Sequence, residues 1–200
     1  MSIKVLMVDV DGVVVRRPDG RRWDLDIERD LGVAQADLQT HFFARHWPDL
    51  ETGRADTRDR LAAALPAFAP HLTAQDVMDY WFAKDASLNE ALLADLAALR
   101  ASGVPLHLAT AQEHYRAAHL WGALDFKSRF DAMHYCAALG LKKSDPAFYA
   151  QVTARAGVPA GDIGYIDDSA SCVELGRAAG WRAHVWRPDS TLAEALAEIG

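Results

Sequence analysis

Cysteine is scarce: the chain of 200 residues has two, Cys136 and Cys172, far apart. There is no Cys-x-x-Cys pair, so neither a thiolate zinc site nor a disulfide framework is available. Both cysteines are expected to be small buried hydrophobes in a reduced compartment. Positive charge is also in deficit. Lys and Arg number 21 against 28 Asp and Glu, a formal net charge of −7. Such a surface repels nucleic acid and anionic lipid, and neither is an expected partner. A phosphorylated small molecule stays open as a ligand, because a bound cation inverts the field of a single pocket. No apolar run approaches the ~20 residues that span a bilayer. Asp9 and Asp11 interrupt the first apolar stretch, which therefore lacks the layout of a signal peptide, and a cytoplasmic protein is expected. Internal repeats and low-complexity tracts are absent too. What remains is a composition of 50% hydrophobic and 24% charged residues. That is the balance of a soluble globular chain long enough to bury a sizeable core.

The apolar segments divide into two kinds. Ile3–Val10 is short, nearly all apolar and rich in Val, as strands buried on both faces are. Pro105–Ala109, Ala132–Tyr135, Ile163–Ile166 and Trp181–Trp186 read the same way. Between them lie helical patterns at Glu90–Ser102, Glu113–Trp121, Pro146–Ala156 and Ser171–Ala179, with Leu192–Ile199 closing the chain. Gly103, Gly157 and Gly180 follow three of these helices, and Pro146 opens one, the expected asymmetry of helix ends. Alternating helix and strand predicts an α/β fold: a doubly wound parallel sheet with a Rossmann-like core. Residues 15–88 hold no good strand. They carry helical stretches near Asp24–Leu31, Gln35–Ala44, Arg58–Leu65 and Ala74–Phe82, broken by Gly32, Pro48, Gly53, Pro66 and Pro70. A compact domain does not tolerate a structureless loop of that length. The expectation is a helical domain over 15–88 inserted into a core made of 1–14 and 89–200.

Chemistry-bearing residues gather at strand ends. Asp9 and Asp11 close the first strand, and residues i and i+2 of an extended chain point the same way. Gly12 permits a sharp turn and a close approach of ligand to backbone. Asp167 and Asp168 follow the buried run Ile163–Ile166; capping the next helix accounts for one aspartate, not two. Carboxylates converging on one sheet edge repel, and an all-oxygen set suits Mg²⁺. Thr110 ends another buried strand before a helix, where a hydroxyl and helix-start N–H groups make a phosphate cradle. Lys143 precedes Asp145-Pro146 at a further helix start.

This order (Asp9-Val10-Asp11-Gly12, then Thr110, Lys143 and Asp167-Asp168) resembles the haloacid dehalogenase-like hydrolase superfamily, and it does so over essentially the whole chain. The insertion looks like that superfamily's C1-type helical cap. The resemblance implies that Asp9 is a nucleophile forming an aspartyl-phosphate. It implies that Asp11 is the acid and base for the leaving alcohol and the water, and that Thr110 and Lys143 stabilise the phosphoryl oxygens. Asp9, Asp167 and Asp168 would hold Mg²⁺ through side chains and Asp11 through its backbone carbonyl. Two positions depart from the pattern: Ala111 stands where the family has Asn, and Lys143-Ser144-Asp145-Pro146 stands for Lys-Pro-Asp-Pro. Dehalogenases of the superfamily lack the second acid, so Asp11 points to phosphate chemistry.

The expected function is Mg²⁺-dependent hydrolysis of a small phosphomonoester, with a sugar phosphate as the guess by analogy, by a monomer or homodimer. A sugar phosphomutase keeps Asp11 as well, and a catalytically silent protein binding through its cap would keep the fold. A two-component receiver shares an aspartyl-phosphate but is shorter and places its paired acids after the first strand. The insertion is dense in aromatic and histidine residues: Trp23, His41, Phe42, Phe43, His46, Trp47, Tyr80, Trp81 and Phe82. Most are expected to form the cap's own core, while some of them, together with Arg54, are candidates for substrate contact. His41 and His46 lack a third ligand at zinc spacing. Arg16-Arg17 and Arg21-Arg22 read as a solvated hinge with a turn at Asp19-Gly20.

Overall fold

The structure, a computed structural model, describes residues 3–16 and 21–200. Strand β1 (Val5–Val8) leads into an all-helical insertion: α1 (Ile27–Leu31), α2 (Gln35–Leu38), α3 (Ala44–Leu50), α4 (Thr57–Ala64) and α5 (Ala74–Lys84). Helix and strand then alternate through α6 (Glu90–Ala101), β2 (Leu106–Thr110), α7 (His114–Gly122), α8 (Phe126–Arg129), β3 (Ala132–Tyr135), α9 (Cys136–Leu139) and α10 (Pro146–Ala156). The last elements are β4 (Ile163–Asp167), α11 (Ala170–Ala178), β5 (Arg182–Val185) and α12 (Leu192–Ile199). All strand pairs are parallel, in the order β3-β2-β1-β4-β5. The fold is therefore the expected α/β, Rossmann-like one.

The pleat sorts β1 onto two cores. Leu6 and Val8 join Leu92, Leu96, Leu120 and Ile199 on the face covered by α6, α7 and α12. Val5 and Met7 join Phe148, Tyr149, Val152 and Val173 under α10 and α11. Each fully buried side chain of this kind contributes about 1.5–3 kcal/mol, which fixes the register of the central strand. From β1 the chain winds through β2 and β3 to one side and then crosses to β4 and β5 on the other. Open α/β sheets bind ligands at such a reversal, beyond the carboxyl ends of the strands.

The insertion has its own apolar cluster, including Ile27, Phe42, Leu61, Val77 and Trp81. It leaves and returns at adjacent points: Val15 bridges Leu88, Arg16 N–H donates to Ser87 O at 2.7 Å, and Asn89 N–H donates to Val14 O at 2.9 Å. Asp24 is wholly buried within it and accepts two bonds from the Arg22 guanidinium, both at 3.0 Å, one from Gln35 at 2.9 Å and one from Gln39 at 2.5 Å. Burial alone would raise this carboxyl; the four bonds it accepts, with the Arg22 charge, outweigh that and hold it below the ordinary range. Arg22 is thus a partner of Asp24 while its side chain stays 55% exposed, solvated as expected. Arg17 and the turn expected at Asp19-Gly20 lie outside the described residues.

Other differences are local. The first strand is shorter than Ile3–Val10. Pro48 does not break a helix but sits inside α3, just after a π-helical turn over Gln39–Phe43, where the regular ladder is already interrupted. The four-residue helices α8 and α9 were not foreseen, being too short to show a period. Among the described residues no helix is long and apolar enough to cross a membrane.

Candidate active site

Three strand ends meet beside the central strand. Asp9 follows β1, Thr110 ends β2, and Asp167-Asp168 close β4. Lys143 reaches them from the loop between α9 and α10, with its Nζ 2.6 Å from Asp9 Oδ1 and 2.5 Å from Asp167 Oδ2. Lys143 is 5% exposed, Asp9 7% and Asp167 0%, so this is a buried triad and not a surface pair. Burial pushes the Asp9 carboxyl up to about 7, Lys143 pulls against that, and the charges of Asp167 and Asp11 add to the rise. Burial alone would lower the Lys143 ammonium, but Asp9 and Asp167 hold it well above its ordinary value. One lysine thus does not neutralise the carboxylates gathered here.

Asp9, Asp167 and Asp168 each offer an oxygen within 4.8 Å of the others, a spacing that suits a divalent cation. Asp167 is already well occupied: Tyr165 Oη donates to Oδ2, and Ser169 N–H donates to Oδ1 at 2.7 Å. Asp168 is the exposed member of the three. Gly12 makes the cluster possible. Its φ of +82° favours glycine, and a Cβ there would collide with the Asp168 carboxylate.

Asp11 does not belong to this cluster. Its Oδ2 accepts from Gln112 Nε2 at 2.7 Å, while its buried Oδ1 has no partner among the described residues. Gln112 also reaches Thr110 Oγ1 at 3.3 Å. Two cavities meet at Asp11 and Ala111. One, of about 320 Å³, is lined by Asp9, Glu51, Thr110, Lys143, Asp167 and Asp168. The other, about 650 Å³, is lined by Trp23, Phe43, Trp47 and Trp81 from the insertion and also by Arg22, Gln39, Thr40, Asp85 and Gln112. Asp11 is a wall of both.

Several expectations change. Thr110 does not stand directly at the helix start: α7 begins at His114, and Glu113 caps it, accepting from Tyr115 N–H at 3.0 Å and from Arg116 N–H. Neither Asp167 nor Asp168 caps α11, because Ser169 takes that position. Cys136 is buried as expected, but Cys172 is half-buried and lines the smaller cavity. Arg54 lies outside both cavities, bound at the surface to Asp49 Oδ1 at 2.8 Å and to Pro48 O at 3.2 Å. Trp47 does line the larger cavity, together with the expected aromatic residues Trp23, Phe43 and Trp81. Phe42 and Phe82 belong to the apolar core, and His41 stacks on Phe68.

Sequence reasoning missed Gln112, Tyr165 and Glu51. Each carried a signal. Gln112 is two residues beyond Thr110 and Tyr165 two before Asp167, the period that keeps extended residues on one face. Glu51 ends the insertion's longest helical run and enters the smaller cavity, where burial raises its carboxyl.

The insertion is fastened to the core close to this site. Thr57 Oγ1 donates to Glu113 Oε2 at 2.5 Å, and Tyr115 Oη donates to Asp56 Oδ2 at 2.9 Å. Arg116, 1% exposed, pairs with Asp85 at 3.5 Å.

Comparison with known proteins agrees with this architecture. A family model for haloacid dehalogenase-like hydrolases matches residues 3–180, and the chain belongs to that family. No curated protein sequence matches it. Among solved structures, it is similar to the HAD family enzyme bt-2542 of Bacteroides thetaiotaomicron, with a TM-score of 0.82 at 15% identity over 97% of this chain and 98% of that one. The form of bt-2542 in complex with magnesium and inorganic phosphate gives 0.81 at 15% identity, covering 96% and 98%. A predicted HAD-like family hydrolase from Porphyromonas gingivalis gives 0.80 at 17% identity, covering 98% and 97%. A dehalogenase captured with an intermediate is more distant, at 0.65 and 16% identity, covering 95% and 87%.

Proposed function

We propose that this hydrolase is a Mg²⁺-dependent phosphatase of small phosphomonoesters, with residues 15–88 acting as a cap over the site. Asp11 carries this reading: a carboxyl held on one oxygen by Gln112, unpartnered on the other, and standing where the acidic and aromatic cavities join. Halide release needs no proton, whereas an alkoxide leaving group does. The similarity to bt-2542, whose complex holds magnesium and inorganic phosphate, supports the same reading.

Asp9 would attack phosphorus from within the smaller cavity, breaking the bond to the leaving oxygen and forming an acyl phosphate. Asp11 would give its proton to that oxygen through Oδ1. It would then take one from the water that attacks the acyl phosphate, releasing inorganic phosphate and restoring both carboxyls. Lys143 and the Thr110 hydroxyl would stabilise the equatorial oxygens, where charge develops. The cation would be held by the side chains of Asp9, Asp167 and Asp168 and the backbone carbonyl of Asp11, and would neutralise the carboxylates so that the phosphate dianion can approach. The fit rests on the donor set: three carboxylates with oxygens within 4.8 Å of one another, two of them paired with a single lysine.

The test compares leaving groups. Asp11→Asn should lose about 10²–10⁴-fold in kcat/KM on an alkyl phosphate, and much less in kcat/KM on p-nitrophenyl phosphate, whose phenolate leaves without a proton. An equal loss on both esters, with Mg²⁺ affinity unchanged, removes the acid role from Asp11.

A further inference from the structure

The larger cavity bears on the alcohol that is released. Trp81 is the hub of its wall. Trp23 stacks on it with ring centroids 5.5 Å apart and an interplanar angle of 24°. Phe43 meets it edge-on at 5.5 Å and 87°, and Trp47 does so at 6.3 Å and 63°. The polar side chains that share this cavity are largely committed elsewhere. Arg22 and Gln39 are spent on Asp24, and Gln112 on Asp11. Asp85 also lines it, paired with Arg116. The groups left open include the Thr40 hydroxyl, Asp11 Oδ1 and the indole N–H of Trp81, the last two buried with no partner among the described residues.

A sugar needs many hydrogen-bond partners, since each hydroxyl taken out of water without one is penalised. This wall provides flat apolar faces and few uncommitted polar groups. A volume of about 650 Å³ is also far more than a three-carbon alcohol fills; pockets of roughly 300–1,000 Å³ take drug-sized ligands. Resting on the phosphatase reading, we propose that the substrate is a phosphate monoester whose alcohol carries an aromatic or heteroaromatic ring. The ring would lie among Trp23, Phe43, Trp47 and Trp81 and accept a hydrogen bond from Trp81 Nε1–H. The phosphoryl group would lie across Asp11 in the acidic cavity. Hydrolysis, with water as co-reactant, would release the ring-bearing alcohol and inorganic phosphate.

The test has two arms. In the first, phosphate release with Mg²⁺ is measured for pyridoxal 5′-phosphate and uridine 5′-monophosphate against glucose 6-phosphate and glycerol 3-phosphate. At least one ring-bearing ester should exceed both ring-free ones tenfold or more in kcat/KM. Trp47→Ala, and separately Ala44→Leu, which narrows the cavity without removing an aromatic ring, should shrink that ratio. In the second arm, quenching of tryptophan fluorescence is titrated with pyridoxine, uridine, glucose and glycerol, so binding is read without turnover. Saturable quenching by a ring-bearing alcohol, absent for glucose and glycerol and weakened in both variants, supports the pocket even if no ester is hydrolysed, a result that would overturn the phosphatase reading alone. Equal or better turnover of glucose 6-phosphate, or no saturable quenching by either ring-bearing alcohol, overturns the ring pocket and leaves the phosphatase reading standing.

Discussion

Gln112 Nε2 donates to Asp11 Oδ2 at 2.7 Å, tying the residue after Ala111 to the second aspartate of the first strand across 101 positions of sequence. The bond orients a carboxyl that borders both cavities and whose other oxygen is buried with no partner among the described residues. Gln112→Leu should lower kcat about tenfold on alkyl phosphates with a smaller effect on KM, because a misaimed acid weakens the transition state more than binding. Gln112→Glu, which can bond only when one of the two carboxyls is protonated, should also move the basic limb of the pH–rate profile. Unchanged kcat in both variants would leave Gln112 with no part in orienting Asp11.

Lys143 is buried between two carboxylates, so replacing it has a structural consequence as well as a chemical one. Lys143→Met leaves Asp9 and Asp167 facing each other without a counter-ion. Breaking a buried pair in this way costs about 3–5 kcal/mol. The melting temperature should fall markedly in EDTA and recover in part with Mg²⁺, which restores positive charge at the same carboxylates. Equal melting of native and variant protein in EDTA would show that the charges are compensated in some other way.

Gly12 is fixed by two independent demands, its φ of +82° and the Asp168 carboxylate packed against it. Gly12→Ala should cost about 1–3 kcal/mol from backbone strain alone. It should also weaken Mg²⁺ binding, since Asp168 must move. Calorimetric titration of the folded variant with Mg²⁺ separates the two effects, and native-like affinity would place Asp168 outside the cation site.

Acid should destabilise the protein through a site remote from catalysis. His134 Nε2 lies 3.2 Å from His107 Nδ1. Burial, with the nearby His107 and Arg155 charges, lowers His134 from 6.5 to about 4, and burial lowers His107 as well. The unfolded chain takes up these protons near pH 6.5 and the folded chain only at lower pH. Between about pH 6.5 and 4 the unfolded state therefore binds more protons, and stability falls as pH falls. Melting temperatures over that range should decline in the native protein and more shallowly in His134→Phe. Parallel curves would remove His134 as the cause.

The fold was legible where the sequence repeats a physical pattern. Apolar runs ending in Asp9, Thr110 and Asp167 marked the strands and, through the parallel order, the shared sheet edge. Residues 15–88 were readable as helical because they lack a strand. What escaped depended on contacts that local pattern does not encode. Tyr165 looked like one more apolar strand residue until its hydroxyl met Asp167. Pro48 looked like a break because the π turn before it leaves no mark in composition. Arg54 is a candidate for substrate contact in the sequence because nothing local marks its pairing with Asp49. The aromatic residues of the insertion split between core and cavity, a division set by how the helices pack and not by their spacing.

The central claim is that Asp9 and the carboxylates around Lys143 hydrolyse a phosphate ester with a divalent cation. It is tested most directly by measuring phosphate release from p-nitrophenyl phosphate and a panel of sugar and ring-bearing phosphates, with Mg²⁺, with EDTA, and with Asp9→Asn. The account predicts turnover of at least one ester with Mg²⁺ that is abolished by EDTA and by the substitution in a folded protein. Phosphate release that persists in Asp9→Asn, or no release from any ester by the folded native protein with Mg²⁺, would contradict it.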